Sequence, residues 1–179
     1  DVIFEQTIPE KGKILTSIAN YWFDKTEHLI QNHLTNIELE EVLPNNEAKA
    51  LEGRAIAVKK LKPLPIEAVV RGYLIGSGWK EYLKSGSVCG INLPPNMALA
   101  EKLENPIFTP SSKAIAGEHD ANISFKEVVS LVGEDIAEQI KKTSLALYNF
   151  AAKHALSRGI IIADTKFEFG LDSENKLTL

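Results

Sequence analysis

Cysteine is almost missing from this chain of 179 residues, because Cys89 is the only one. A single cysteine cannot form an internal disulfide, and such a composition favours a reducing compartment. We therefore predict a cytoplasmic location. Cys89 lies in a loop of small residues without the neighbours that activate a catalytic thiol, so we predict that it is chemically inert.

Long apolar runs and an excess of one charge are also missing. No segment approaches the roughly 20 apolar residues that a membrane span requires, so we predict no membrane partner. The 20 Lys and Arg residues nearly balance the 24 Asp and Glu residues, for a net charge of -4. This balance gives no reason to expect a nucleic acid as partner. Neither a Walker loop nor a G-x-G-x-x-G motif is present.

The composition that remains is that of a globular protein, with 44% hydrophobic residues, and it suffices for one domain or two small ones. Apolar residues at helical spacing predict helices over 11–33, 77–86 and 134–159. Ser124 and Glu127 predict a capping box for one more helix. Alternating residues predict strands over 35–43, 54–61, 66–73 and 160–169, and another from 176 onward. This order indicates an α+β protein.

Two proline-containing segments connect these elements. The "KPLP" segment, 62–65, predicts an extended connector, and we interpret it as a hinge between two lobes. The segment 91–124 is rich in proline and polar residues, and we predict a long loop there, of the kind that is usually functional or disordered.

The stretch "GIIIADTKFEFG" carries charge at every second position. Asp164, Lys166 and Glu168 therefore share one face of a predicted strand. This face is either a solvent-exposed row of ion pairs, worth under ~1 kcal/mol each, or the charged end of a buried strand that opens into a cleft. The apolar run 160–162 favours a buried central strand. A carboxylate in a cleft could hold Mg²⁺ beside a phosphate.

The stretch "VVRGYLIGSGWKEY" places Arg71 on a strand and Gly76 and Ser77 at the start of a helix. Backbone N–H groups at a helix start favour an anion such as phosphate. The alternative is a glycine turn in which Ser77 is only the N-cap.

The stretch "TPSSKAIAGEHDANISF" brings Lys113, Glu118, His119 and Asp120 into one loop. Zinc needs more His or Cys ligands than this loop supplies. Composition alone leaves two interpretations open, a substrate loop and a solvated loop.

Taken together, "VVRGYLIGSGWKEY", "FTPSSKA" with "GEHDANIS", and "GIIIADTKFEFG" resemble the SAICAR synthase family. The resemblance implies a two-lobed fold with ATP-grasp or kinase-like lobes. Residues 1–63 would end the small ATP-binding lobe, and 64–179 would form most of the larger lobe. It also implies that the sequence is truncated at both ends, because the family's glycine-rich loop and a further metal-binding acid are not found.

The activity implied by the resemblance is an ATP-dependent ligation in purine biosynthesis. L-aspartate is joined to the carboxylate of CAIR, a carboxylated aminoimidazole ribonucleotide, with ATP and Mg²⁺ as cofactors. Two other functions stay open, a small-molecule kinase on the same lobe architecture and a nucleotide-binding fragment that is inactive on its own.

The roles implied by the resemblance fall into three groups. ATP would contact Glu67 and Glu168, and its adenine the backbone of Lys62 and Leu64. CAIR would contact Arg71, Gly76 and Ser77, with His119 and Asp120 in the substrate loop. Lys166, Glu168 and Asp164 would act in catalysis, with Glu168 as the metal ligand.

Overall fold

The computed structural model describes residues 5–113 and 121–179, and the chain divides into two compact units. The first unit lies within residues 1–28 and 32–60, and the second within 29–31 and 61–179. None of the helices in the described part of the chain has the length and apolar character needed to cross a membrane. The assignment of residues 1–63 and 64–179 to two lobes stays a prediction.

The first unit contains α1 (Lys11–Thr26), a short 3₁₀ helix (Leu39–Glu41) and α2 (Asn45–Leu51). The predicted helix over 11–33 therefore ends earlier, at Thr26. The predicted strands over 35–43 and 54–61 are wrong. In the first of these segments Glu38 and Glu41 form a capping box at the 3₁₀ helix instead. Their side chains satisfy backbone N–H groups that, in a strand, would need a neighbouring strand as partner. An isolated bridge from Leu34 to Val58 and a hydrogen bond that Thr35 Oγ1 donates to the Ala57 carbonyl connect this part of the chain.

The second unit contains most of the regular structure. In chain order its elements are β1 (Lys62–Pro63), β2 (Ile66–Tyr73), α3 (Gly76–Ser85), β3 (Ser87–Val88), β4 (Ile91–Asn92), β5 (Lys102–Phe108), β6 (Ser111–Ser112), α4 (Phe125–Val132), α5 (Glu134–Leu156), β7 (Asp164–Phe167), β8 (Gly170–Leu171) and β9 (Leu177–Thr178). The predictions of α3, of β2 and of the Ser124–Glu127 capping box before α4 are confirmed. The predicted helix over 134–159 is confirmed through Leu156.

Strand β2 is the centre of the main sheet, and all its neighbours are antiparallel to it. One edge of β2 pairs with β5 and β6, and the other edge pairs with β7. Part of the predicted long loop over 91–124 is therefore a strand, β5. Its Pro106, which favoured a loop in the sequence, lies within this strand. A second, three-stranded sheet has the order β1-β8-β9.

The isoleucine run does not form the buried central strand that it predicts. Ile160 and Ile161 are 59% and 61% exposed, and strand pairing begins only at Asp164. The chain leaves α5 through Gly159 in a left-handed conformation, and the Ile160 N–H still donates to the carbonyl of Ala155. Ile160 is therefore part of the C-terminal turn of α5 and does not extend β7.

The core lies on one face of β2, where α4 and α5 cover the sheet. Ile66, Ala68 and Val70 point into this core. Because side chains alternate along a strand, Glu67, Val69 and Arg71 point to the opposite face. This alternation decides which residues of β2 are available to a site.

Candidate active site

The face of β2 opposite the core forms one wall of a cavity of about 330 Å³. The start of α3 and the strand β7 supply further walls. The residues that line it are Glu67, Val69, Arg71, Gly76, Ser77, Ser111, Asn122, Asp164, Thr165 and Lys166. The structure thus brings together Glu67, Arg71, Gly76, Ser77, Asp164 and Lys166, which the sequence predicted as site residues from separate stretches.

Arg71 is buried, with 5% of its surface exposed, and it makes four hydrogen bonds. Its Nε donates to Thr109 Oγ1 at 3.0 Å, and Nη1 donates to the Ile75 carbonyl at 3.4 Å and to Asp164 Oδ2 at 3.2 Å. Nη2 donates to Ser77 Oγ at 2.8 Å. A guanidinium held by so many partners has one orientation. We call these residues the Arg71 network.

The two glycines around Ser77 serve different purposes. Gly76 has a φ of 58°, a conformation that glycine adopts at little cost. A Cβ on Gly78 would lie 3.0 Å from Arg71 Cδ and 3.1 Å from its Nε, so Gly78 leaves room for the arginine. The alternative that Ser77 is only an N-cap is wrong, because the N-cap is Ile75 and the Ser77 hydroxyl accepts from Arg71.

The alternation in β7 places Asp164 and Lys166 on one face, as predicted. Asp164 pairs in register with Arg71, and Lys166 with Val69. The Lys166 Nζ lies 2.9 Å from both carboxylate oxygens of Glu67, which also accepts from Ser111 Oγ at 3.3 Å. The face is therefore a row of ion pairs, and at the same time it lines the cavity.

Glu168 does not line the cavity. It forms an ion pair with Lys113, with 2.6 Å between Nζ and Oε2. Both side chains are open to solvent, with 33% of Lys113 and 61% of Glu168 exposed. Among residues 5–113 and 121–179 there is no group of three or more acidic, His or Cys side chains that could hold a metal.

The remaining predicted site residues lie elsewhere or outside the described residues. Lys62 is in β1, and the Leu64 N–H donates to the Phe169 carbonyl at 2.9 Å. Glu118, His119 and Asp120 lie outside the described residues, so their prediction stays untested.

Three residues of this region were not singled out from the sequence. Thr109 is fully buried and anchors Arg71. Asn122 lines the cavity and donates through Nδ2 to Glu81 Oε2 at 2.6 Å. Glu81 belongs to α3 and accepts this hydrogen bond from Asn122. No local pattern marks these residues, because each acts through a partner that is far away in sequence.

Cys89 is buried, and its Sγ lies 3.6 Å from the carbonyl oxygen of Pro110. Burial, together with the negative charge of Glu81, raises the pKa of Cys89 to about 12. The thiol is therefore protonated at neutral pH, which agrees with the prediction that it is inert.

Comparisons with known proteins cover the whole chain. Residues 1–179 match the family described as SAICAR synthetase. A protein of Neisseria meningitidis serogroup B named phosphoribosylaminoimidazole-succinocarboxamide synthase is 56% identical over 179 residues, which are 100% of this chain and 62% of that protein. The protein of the same name from Chromobacterium violaceum is 55% identical over 100% of this chain and 63% of its own length.

A solved structure agrees with these sequence comparisons. SAICAR synthase from Saccharomyces cerevisiae, described as complexed with SAICAR, is 41% identical with a TM-score of 0.91, over 100% of this chain and 61% of its own. An α+β synthase is the class of protein that these relatives define. The chain belongs to the SAICAR synthetase family. It spans about three fifths of the length of the relatives it matches.

Proposed function

We propose that the full-length protein joins L-aspartate to the carboxylate of CAIR and forms SAICAR, while ATP is cleaved to ADP and phosphate. The names of the relatives from Neisseria meningitidis and Chromobacterium violaceum support this proposal at 55–56% identity. The observation on the chain itself that carries it is the cavity in which the Arg71 network stands across from Lys166. Arg71 and Lys166 bring two positive charges to this cavity, and Glu67 and Asp164 bring two negative charges, so the cavity offers charged partners of both signs to a substrate that carries carboxylate, phosphate and amine groups.

The phosphate of CAIR is the group that we assign to the Arg71 side of the cavity. Free backbone N–H groups at the start of α3, near Gly76 and Ser77, attract an anion. Thr109 and Asp164 hold the guanidinium in place, so that its Nη2 edge stays beside Ser77 Oγ. Charge-assisted hydrogen bonds from this edge would be shorter and stronger than neutral ones.

The nucleotide is assigned to the segment around β1. Leu64 donates its N–H to Phe169, Pro63 has no N–H, and Lys62 pairs in register with Leu171 of β8. A backbone donor to adenine from this segment would therefore be Lys62 or Leu64, after exchanging its present pairing. Glu67 is held by Lys166, and we infer that it acts on the nucleotide together with this lysine. In this proposal residues 1–63 end a small ATP-binding lobe, and 64–179 form most of the larger lobe.

Mg²⁺ fits the residues present only as an ion that arrives with ATP. Magnesium is usually bound by one or two carboxylates together with substrate phosphates. Glu168 is the exposed carboxylate that would hold it, after exchanging its contact with Lys113. Bound there, the ion would offset the charge of the phosphates. Lys166 would neutralise charge on the reacting groups, and Asp164 would keep Arg71 in position.

The proposal is tested with the full-length protein, ATP, Mg²⁺ and CAIR, with and without L-aspartate. Mass spectrometry should detect SAICAR only when aspartate is present. Lys166→Met should reduce kcat about 100-fold, as the removal of a charge-stabilising group often does. Lys142→Met, at an exposed position on α5, is the matched control and should retain full turnover.

Two outcomes would contradict the proposal. Phosphorylated CAIR as the final product, with no SAICAR even when aspartate is present, would support the small-molecule kinase alternative, which the names of the relatives do not favour. Binding of ATP without any product would support a nucleotide-binding protein. His119 and Asp120, the cytoplasmic location and the absence of nucleic-acid and membrane partners stay predictions.

A further inference from the structure

Glu81 connects the helix that begins in the cavity to two other segments. Its Oε1 accepts from the backbone N–H of Cys89 at 2.8 Å, and its Oε2 accepts from Asn122 Nδ2 at 2.6 Å. Both carboxylate oxygens are therefore committed, each to a different part of the chain. Since Glu81 lies on α3, little more than one turn after Ser77, it fixes the start of this helix relative to Asn122.

The contact with Glu81 also determines the orientation of the Asn122 amide. An ionised carboxylate only accepts hydrogen bonds, so the NH₂ group of Asn122 must face Glu81. The carbonyl oxygen, Oδ1, then faces away from Glu81. It has no partner among residues 5–113 and 121–179. The backbone of Asn122 is held as well, by an antiparallel bridge to Ser111.

Asn122 brings a neutral acceptor to the cavity, where the other polar side chains are mostly committed. Asp164 accepts from Arg71 and Glu67 accepts from Lys166. A neutral acceptor that is fixed in direction suits an N–H group of a ligand, because a ligand carboxylate or phosphate would be repelled by it. CAIR, the substrate that we assign to this cavity, carries such a group in the amine on its imidazole ring.

We propose that Asn122 recognises the ring amine of the ribonucleotide substrate and that Glu81 is the positioning residue that orients Asn122. This inference rests on the proposed function, since it identifies what the same cavity selects. Its physical basis is the pair of hydrogen bonds on Glu81. Through this pair, a helix residue outside the cavity would act on the substrate bound in it.

The test is a reciprocal exchange in the full-length protein. Glu81→Gln keeps the shape but offers one acceptor to two donors, so one hydrogen bond is lost. Asn122→Asp places two carboxylates where 2.6 Å separate the present pair. In the double variant, the new amide accepts from Cys89 N–H and donates to the new carboxylate at position 122, so both hydrogen bonds return with the same net charge.

Each single variant should raise the KM for CAIR about tenfold, which is the size of one lost polar contact, and leave the KM for ATP within about twofold. The double variant should return the KM for CAIR to within about threefold of the original. Calorimetry should give the same pattern in the Kd for CAIR. Glu138→Gln, on the exposed face of α5, is the control and should change neither constant.

The inference is overturned if both single variants bind CAIR like the original protein, or if the double variant is no better than the singles. It is also overturned if the KM values for CAIR and ATP rise together, since that pattern indicates general loss of structure. These outcomes can be distinguished from failure of the proposed function. In that case the original protein itself forms no SAICAR, and both proposals are wrong.

Discussion

The Arg71 network and the Lys113–Glu168 pair both join a cation to a carboxylate, but they differ in burial. The Arg71 side chain is 6% exposed and is bound by four partners, whereas Glu168 is 61% exposed and pairs with Lys113. A buried cation without partners would be very costly, whereas an exposed pair contributes under ~1 kcal/mol. The first group is therefore preorganised, and the second can exchange partners.

This difference suggests that the two groups have different roles in the proposed site. A preorganised group binds a ligand without a cost for ordering its own side chains. An exchangeable group can release Lys113 and take up a metal ion, and the fold loses little. Substitutions in the two groups should therefore separate loss of stability from loss of turnover.

The largest effect is expected from Arg71→Ala in the full-length protein. The substitution leaves Thr109 and Asp164 without their partner, so the free energy of unfolding should fall by about 2–4 kcal/mol. The kcat/KM for CAIR should fall at least about 100-fold, while the KM for ATP changes little. Urea unfolding and steady-state kinetics measure the two effects. An unchanged KM for CAIR would remove Arg71 from the binding site.

Glu168→Gln should show the opposite pattern. The amide keeps the size of the side chain but is a poor ligand for Mg²⁺, so kcat should fall about 10- to 100-fold, and excess Mg²⁺ should restore it only in part. The Tm should stay within about 2 °C, because the pair with Lys113 is exposed.

The matched control for Glu168→Gln is Glu174→Gln, which removes a similarly exposed pair with Lys176. The control should leave both kcat and Tm unchanged. Normal turnover of Glu168→Gln at ordinary Mg²⁺ would return Glu168 to the interpretation of a surface ion pair.

Gly78→Ala tests preorganisation without changing any charge. The new methyl group would lie 3.0 Å from Arg71 Cδ, so the guanidinium must shift by a few tenths of an ångström. We expect the KM for CAIR to rise about three- to tenfold, with a loss of stability near 1 kcal/mol. Lys84→Ala, exposed on the same helix, is the control. A KM equal to that of the control would show that the Arg71 network tolerates movement.

The smallest effect on the protein is expected from labelling of Cys89, which is buried like Arg71. Because its pKa is raised to about 12, roughly one thiol in ten thousand is ionised at pH 8. Iodoacetamide should therefore label native Cys89 at least about 100-fold more slowly than it labels the protein in urea, as measured by peptide mass spectrometry. Rapid labelling of the native protein at pH 8 would show that the Cys89 thiol is accessible to solvent.

The raised pKa of Cys89 also has a consequence for stability. The folded protein keeps the thiol proton up to about pH 12, whereas the unfolded chain releases it near the ordinary value of 9.0. The unfolded state thus binds fewer protons between these values, so the stability should fall as the pH rises through this window.

Local sequence patterns predicted the features that depend only on the periodicity of a single helix or strand. The alternation of β7 placed Asp164 and Lys166 on one face, and the pattern of β2 placed Arg71 on a strand. The same logic failed at 35–43, where side-chain hydrogen bonds of Glu38 and Glu41 made a 3₁₀ turn. It failed again at β5, where a proline in the sequence indicated a loop.

The sequence by itself thus determined the helices α3 and α5, the charged face of β7 and the glycine turn before Ser77, because each follows from contacts a few residues apart. Only the tertiary structure decided the partners. Arg71 meets Asp164 across 93 positions and Thr109 across 38, and Asn122 meets Glu81 across 41. Such pairs depend on which strands become neighbours, and strand pairing is set by the packing of the whole sheet against α4 and α5, which no local period encodes.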